Sequence, residues 1–204
     1  MRHQPCAVQQ FMPMPKSTPD VSVLNRRSFL KMSGLAIWAG PKLVEAASTT
    51  SSPISGLTER SLAFYNLHTG ESLKTVYWQA GDYLRPSLAD INRVLRDHRT
   101  GEKHDIHPGL LDLLCDLRLR LDTKEPLQII SGYRSPKTNA LLHSQSNGVA
   151  ERSLHMDGKA VDIRVAGRSL SLLWKTALSM KGGGVGYYPA SDFVHVDTGR
   201  VRSW

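Results

Sequence analysis

Three residues in the second half of the chain have the types and spacing of a metal centre: His155, Asp162 and His195. Period-two alternation in Ala160-Val-Asp-Ile-Arg-Val165 puts Asp162 on one strand face with Ala160 and Arg164, and Val161, Ile163 and Val165 on the other. The aliphatic face must meet the core, so Asp162 points away from it. In Phe193-Val-His-Val-Asp197 the same rule buries Val194 and Val196 and leaves His195 and Asp197 on the face that Asp162 occupies. His155 precedes its strand by a loop containing Gly158, which can turn back over the sheet. Two imidazoles and one carboxylate suit Zn²⁺ at distances of about 2.0–2.2 Å, and three protein ligands leave the fourth position open, as in a catalytic site. Taken singly, either histidine also reads as an ordinary polar residue and Asp162 as a turn cap. The facing strand positions and the glycine-hinged loop make the set a candidate centre.

The elements that must position these residues can be read along the chain. Arg60 to Leu67 and Ser72 to Trp78 are strand-like and flank His68-Thr-Gly-Glu71, a hairpin signature. Leu88, Ile91, Val94 and Leu95 have the spacing of one helical face within residues 86–99. Pro108 opens a second helix through Leu110, Leu111, Leu114, Leu117 and Leu121. Leu127 to Ser131 reads as a short buried strand, Lys137 to Ser144 as a short helix, and Ser169 to Met180 as a helix ended by Gly182-Gly183-Gly184. Two strands follow, Val185 to Tyr188 and Phe193 to Asp197. No internal repeat is present, and the glycine run lacks the Lys-Ser/Thr of a phosphate loop. The mixed order predicts an α+β fold: a small antiparallel sheet with helices packed on one side.

Composition bounds the class. The 204 residues are 40% hydrophobic and 22% charged, which excludes a disordered or collagen-like chain and a multi-span membrane protein. The net charge of +8 raises nucleic-acid binding as a first possibility. The N-terminal segment removes most of its support. Arg26-Arg-Ser-Phe-Leu-Lys31, a short apolar run and Val44-Glu-Ala46 resemble a twin-arginine export signal, with Asn25 where that consensus has Ser or Thr. The apolar run of about nine residues is too short to span a ~30 Å hydrocarbon core, so no stable membrane anchor is expected. Cleavage after Ala46 would remove six basic residues (Arg2, Lys16, Arg26, Arg27, Lys31, Lys42) and two acidic ones (Asp20, Glu45), leaving +4 on the remainder. It would also remove Cys6, so Cys115 has no disulfide partner and reads as apolar packing on its helix. Residues 47–58 read as a flexible linker rich in small polar residues.

Ser153-x-His155-x-x-Gly158-x-Ala160-x-Asp162, followed by Asp192-x-x-His195, resembles the zinc peptidases of the D-alanyl-D-alanine metallopeptidase superfamily, which share a fold with lysostaphin-type enzymes and the hedgehog domain. Ser131-Gly-Tyr-Arg134-Ser-Pro-Lys-Thr-Asn139 and Asp192-Phe-Val-His-Val-Asp-Thr-Gly199 narrow the resemblance to the YcbK-like murein endopeptidases, over about residues 60–204. The resemblance implies one zinc ion on His155, Asp162 and His195. It implies Asp192 as general base, with Asp197 as the rival carboxylate, and Arg134 as the cation for a substrate carboxylate or oxyanion. Ser153 either contacts substrate or fixes its loop; Tyr133, Asn139 and Tyr187 are candidate cleft residues. His68, His98, His104 and His107 are expected at the surface, with His143 near the site. The implied protein is a monomeric periplasmic hydrolase of peptidoglycan cross-links, meeting the twin-arginine translocase only during export and binding no nucleic acid. Its domains are a signal (1–46), a linker (47–58) and a zinc peptidase domain (59–204). A D-alanyl-D-alanine carboxypeptidase and a non-catalytic zinc-stabilised wall-binding module are the alternatives.

Overall fold

The computed structural model describes residues 52–146 and 148–204. The export signal expected over residues 1–46 and the start of the expected linker lie outside the described residues. Within the remainder of that linker, Pro53–Gly56 forms a turn of 3-10 helix and Ile54 packs against the core.

Among the described residues, eight strands and four helices follow one another along the chain. Strands β1 (Glu59–Asn66), β2 (Ser72–Gln79) and β3 (Asp82–Tyr83) come first, then helices α1 (Arg85–Val94) and α2 (Pro108–Arg120). Strand β4 (Leu127–Ser131), helix α3 (Pro136–Gln145), strand β5 (Ala160–Val165) and helix α4 (Leu170–Met180) follow. Strands β6 (Gly184–Tyr188), β7 (Phe193–Asp197) and β8 (Arg202–Ser203) complete the order. All eight strands join one sheet in the order β3-β2-β1-β4-β5-β7-β6-β8.

The α+β class agrees with expectation, but the sheet is neither small nor purely antiparallel. Strand β1 pairs parallel to β4, because α1 and α2 carry the chain back before β4 begins, and β8 pairs parallel to β6 on its outer edge. The remaining pairs are antiparallel. Helices α1, α2 and α4 bury Ile91, Leu110, Leu114, Leu117 and Leu173 against Phe64, Ile129, Val161, Ile163 and Val194 of the sheet. Helix α3 contributes no residue to that core; it stands beside the polar loops instead. Helices α3 and α4 start where Ser135 and Ser169 accept hydrogen bonds from Thr138 N and Leu172 N.

A second polar cluster lies where β1, β2 and β3 meet α2. Asp112 Oδ1 accepts from Arg60 Nη1 (2.8 Å) and Tyr77 Oη (2.9 Å), and Oδ2 accepts from Tyr83 Oη (2.7 Å). Cys115 is buried one helical turn away with its Sγ 3.8 Å from the Ser61 carbonyl; burial pushes its thiol pKa up.

Candidate metal centre

The antiparallel register of β5 and β7 sets Asp162 directly opposite His195. His155 reaches them from a 3-10 turn, Leu154–Asp157, whose N-terminus is capped by Ser153 Oγ accepting from His155 N (3.4 Å). The turn closes at Gly158 with φ +63°; a Cβ there would sit 2.2 Å from the Asp105 carbonyl oxygen, so only glycine fits. The result brings together the three residues expected from the sequence. His195 Nδ1 lies 2.9 Å from Asp162 Oδ1, His155 Nε2 lies 3.3 Å from the same oxygen, and the two nitrogens are 3.2 Å apart. All three residues are buried.

The far side of each ring fixes what these atoms are. His155 Nδ1 is 2.8 Å from the Gly132 carbonyl oxygen, which can only accept, so Nδ1 carries the proton and Nε2 turns a lone pair to the centre. His195 Nε2 is 3.0 Å from Asp197 Oδ2, so its proton lies there and Nδ1 turns a lone pair inward. With both rings neutral and so oriented, two nitrogen lone pairs and a carboxylate oxygen face one another, an arrangement completed either by a proton between His195 and Asp162 or by a cation. That donor set fits a divalent cation, and His₂Asp is a familiar set for zinc. In the protein alone the same crowding shows in the ionisation of the ligands. Burial would raise the Asp162 carboxyl, but His155 and His195 outweigh it and hold it well below the carboxylate range. Burial would lower His195, but its hydrogen bonds to Asp162 and Asp197 outweigh that and raise it.

Asp197 is fully buried and saturated. Beyond His195 it accepts from Gly184 N (3.0 Å), Gly199 N (2.8 Å) and both Arg202 Nη atoms (3.2 and 2.8 Å). It therefore orients His195 and has no lone pair to spare for a substrate proton. Asp192 is placed differently. It ends the 3-10 turn Pro189–Ser191 at φ +54°, its side chain is 62% exposed, and its Oδ2 is ion-paired with Arg164 Nη1 at 2.6 Å. Arg164 is two residues along β5 from Asp162, on the same face; Asp192, held by it, neither lines the cleft nor hydrogen-bonds to the cluster.

Arg134 is buried beside the centre with loose partners: Asp162 Oδ2 at 3.6 Å, Asn139 Oδ1 at 3.4 Å and Ser131 Oγ at 3.5 Å. Its Nε has no partner, and burial pushes the guanidinium pKa down despite Asp162. An under-satisfied buried cation is a ready anion receptor. The loop carrying it is anchored by Asp97, whose Oδ2 accepts from Ser135 N (2.9 Å) and Ser135 Oγ (2.7 Å). A cleft of about 480 Å³ opens over the centre, lined by Arg134, Arg152, Ser153, Tyr188, Phe193, Arg202 and Trp204 among others.

The other candidates sort by contact. Asn139 ties Arg134 to the 150–151 loop through the Ala150 and Glu151 carbonyls. Tyr133 is buried and stacks on His104, and Tyr187 packs on Trp174 at the core, so the cleft tyrosine is its neighbour Tyr188. His107 accepts from Gly109 N as the cap of α2, and His143 Nδ1 lies 2.6 Å from the Val149 carbonyl. His98 is half-buried, stacked on His68, and its pKa is lowered to about 4 by burial and by His68. None of these joins the cluster. Asp97, Arg202 and Trp204 escaped the sequence reading because their roles depend on which loops meet; no periodicity announces them.

Known proteins resemble the chain along most of its length. The family model described as peptidoglycan L,D-endopeptidase MepK matches residues 55–204. Peptidoglycan L,D-endopeptidase MepK of Escherichia coli (strain K12) is 45% identical over 180 residues, which span 88% of this chain and 97% of the relative. The probable peptidoglycan L,D-endopeptidase MepK of Haemophilus influenzae is 38% identical over 183 residues, covering 88% of this chain and 95% of its own length. Matching along almost the whole length of these relatives, the chain belongs to the MepK family of peptidoglycan L,D-endopeptidases.

Proposed function

We propose that the protein is a zinc-dependent murein endopeptidase that hydrolyses peptide cross-links of peptidoglycan, with His155, Asp162 and His195 as the ligands. The observation that carries this reading is the convergence on Asp162 Oδ1 of two imidazole nitrogens whose rings are oriented from the far side by Gly132 O and Asp197. Zinc held there would supply Lewis acidity toward a peptide carbonyl and activate water near neutral pH. Arg134 binds a substrate carboxylate or the developing oxyanion through its unpartnered edge. Asp197, locked by Arg202, keeps the His195 Nε2 proton and thereby the ring orientation. Asp192 is the carboxylate proposed to take the proton of the attacking water; to reach the cleft it must release Arg164. The L,D designation of the relatives supports the direct diaminopimelate–diaminopimelate link, in which an L-centre carbonyl is joined to a D-centre amine, as the substrate. The wall substrate, together with Arg26-Arg27, supports a periplasmic location reached by the twin-arginine route, and among the described residues no helix is long and apolar enough to cross a membrane.

Digestion of purified cross-linked muropeptides, with chelator and after zinc return, tests the proposal. Conversion of dimers to monomers, lost with chelator and restored by zinc, is the expected outcome. Release of terminal D-alanine alone would make the protein a carboxypeptidase, and zinc-loaded protein that leaves dimers intact would make it a binding module.

A further inference from the structure

Trp204 lies against the centre in a way that its own packing does not explain. Its ring centroid is 5.3 Å from that of His195, yet the residue is 48% exposed. The indole is nevertheless held from several sides. Its Nε1 donates to Tyr188 Oη (2.6 Å), the Arg202 guanidinium sits over the ring at 4.8 Å, and its backbone pairs with Val185 O and Tyr187 N. Gly186 makes room beneath: a Cβ there would fall 2.7 Å from Trp204 and 2.8 Å from Tyr188. Tyr188 in turn stacks on Phe193 at 4.5 Å. A large aromatic surface kept half-exposed at fixed orientation, inside a cleft, is a binding surface.

Its place in the sheet says which part of a ligand it meets. Strands β5 and β7, carrying Asp162 and His195, lie between β4, which leads into Arg134, and the β6–β8 edge, which carries Trp204. The cation and the aromatic shelf thus flank the centre on opposite sides. A carboxylate on one side of the scissile bond can reach Arg134 while an apolar group on the other side lies on Trp204. At about 3.3–3.6 Å of chain per residue, a ring this close to a ligand meets the residue next to the scissile bond and not a sugar two residues away.

We infer that Trp204, with Tyr188 and Phe193, is the subsite for the trimethylene arm of the diaminopimelate residue that contributes the scissile carbonyl. The inference rests on the proposed function and names the residue that selects its substrate. Covering about two methylenes is worth roughly tenfold in affinity.

The test compares two peptides: a dimer with the direct diaminopimelate link, and the same dimer with the acyl-side diaminopimelate shortened by two methylenes to 2,4-diaminoglutarate, which keeps the distal ammonium and carboxylate. Zinc-loaded wild type should prefer the first about tenfold in kcat/KM. Trp204→Ala should lose that preference, the loss falling on KM for the first peptide, with zinc stoichiometry kept. Gly186→Ala, which displaces the shelf without removing it, should move in the same direction, and Trp204→Phe should recover part of the preference. A folded, zinc-loaded Trp204→Ala that keeps the wild-type preference overturns the shelf while leaving the function intact. If wild type cleaves neither peptide, the proposed function falls, and calorimetric titration of the two peptides then reads the shelf by itself. A Trp204-dependent difference in affinity supports it, and equal affinities overturn it.

Discussion

Asp112 and Asp162 are both carboxylates ringed by polar side chains, yet one ring is complete and the other is not. Every partner of Asp112 brings a proton: Arg60 and Tyr77 to one oxygen, Tyr83 to the other. The two imidazoles facing Asp162 direct their outer protons to Gly132 O and Asp197 and, when neutral, offer it lone pairs, while Arg134 stands off its other oxygen at 3.6 Å. The first cluster is finished by the protein alone and ties α2 to the first three strands. The second is left open for a proton or, on the proposed reading, a cation. Counting donors against acceptors separates a structural cluster from a reactive one where burial and charge do not.

Substitutions should break the two clusters in different currencies. His195→Ala should abolish metal binding and cleavage together, and stoichiometric zinc in that variant, measured by metal analysis, would remove His195 from the ligand set. Asp192→Asn should leave zinc bound and lower turnover about 10²–10⁴-fold, the usual worth of a general base. Full activity would show that the Arg164–Asp192 pair is only a rim contact. Asp197→Asn should weaken zinc about 10–100-fold in a chelator competition, because a neutral amide oxygen holds the His195 Nε2 proton less firmly than a carboxylate. Asp112→Ala should cost about 1–3 kcal/mol in denaturant unfolding by orphaning Arg60 and Tyr77, with zinc affinity and turnover unchanged.

Changes of pH should separate the clusters too. Burial, Cys115 and Asp112 push the Tyr77 pKa far up, and burial and Asp112 bring Tyr83 up to about 12. The folded chain therefore keeps protons that the unfolded chain releases near pH 10, so this stability is full below about pH 10 and declines above it. Asp97 and Asp197 act in the opposite sense. Burial would raise both, but their hydrogen bonds outweigh it and hold them below the carboxylate range. Their contribution is present above about pH 4 and lost as the pH falls further. Unfolding curves across acid and alkaline series check both limbs.

The centre was legible in the sequence because strand alternation is a local rule: valines and isoleucines on one face of residues 160–165 and 193–197 leave Asp162 and His195 on the other. The bounds of β4 and β5 follow from the same apolar runs. The parallel pairing of β1 with β4 was not legible, since nothing within either strand specifies a partner some sixty residues away. Strands β3 and β8 are two residues long, too short to show a period, and with β8 went Arg202 and Trp204. Spacing set Asp192 three residues before His195, but the left-handed turn at Asp192 and the pull of Arg164 decide where its carboxylate stands.

Cys115 turns the packing of α2 into a clock. Its thiol is shut in against β1 and its pKa is raised, so a thiol reagent reaches it only when the helix lifts from the sheet. The labelling rate then counts openings of the core. Comparing that rate with and without zinc measures, in seconds, how far the centre between β5 and β7 holds α2 closed against β1, two strands from β5.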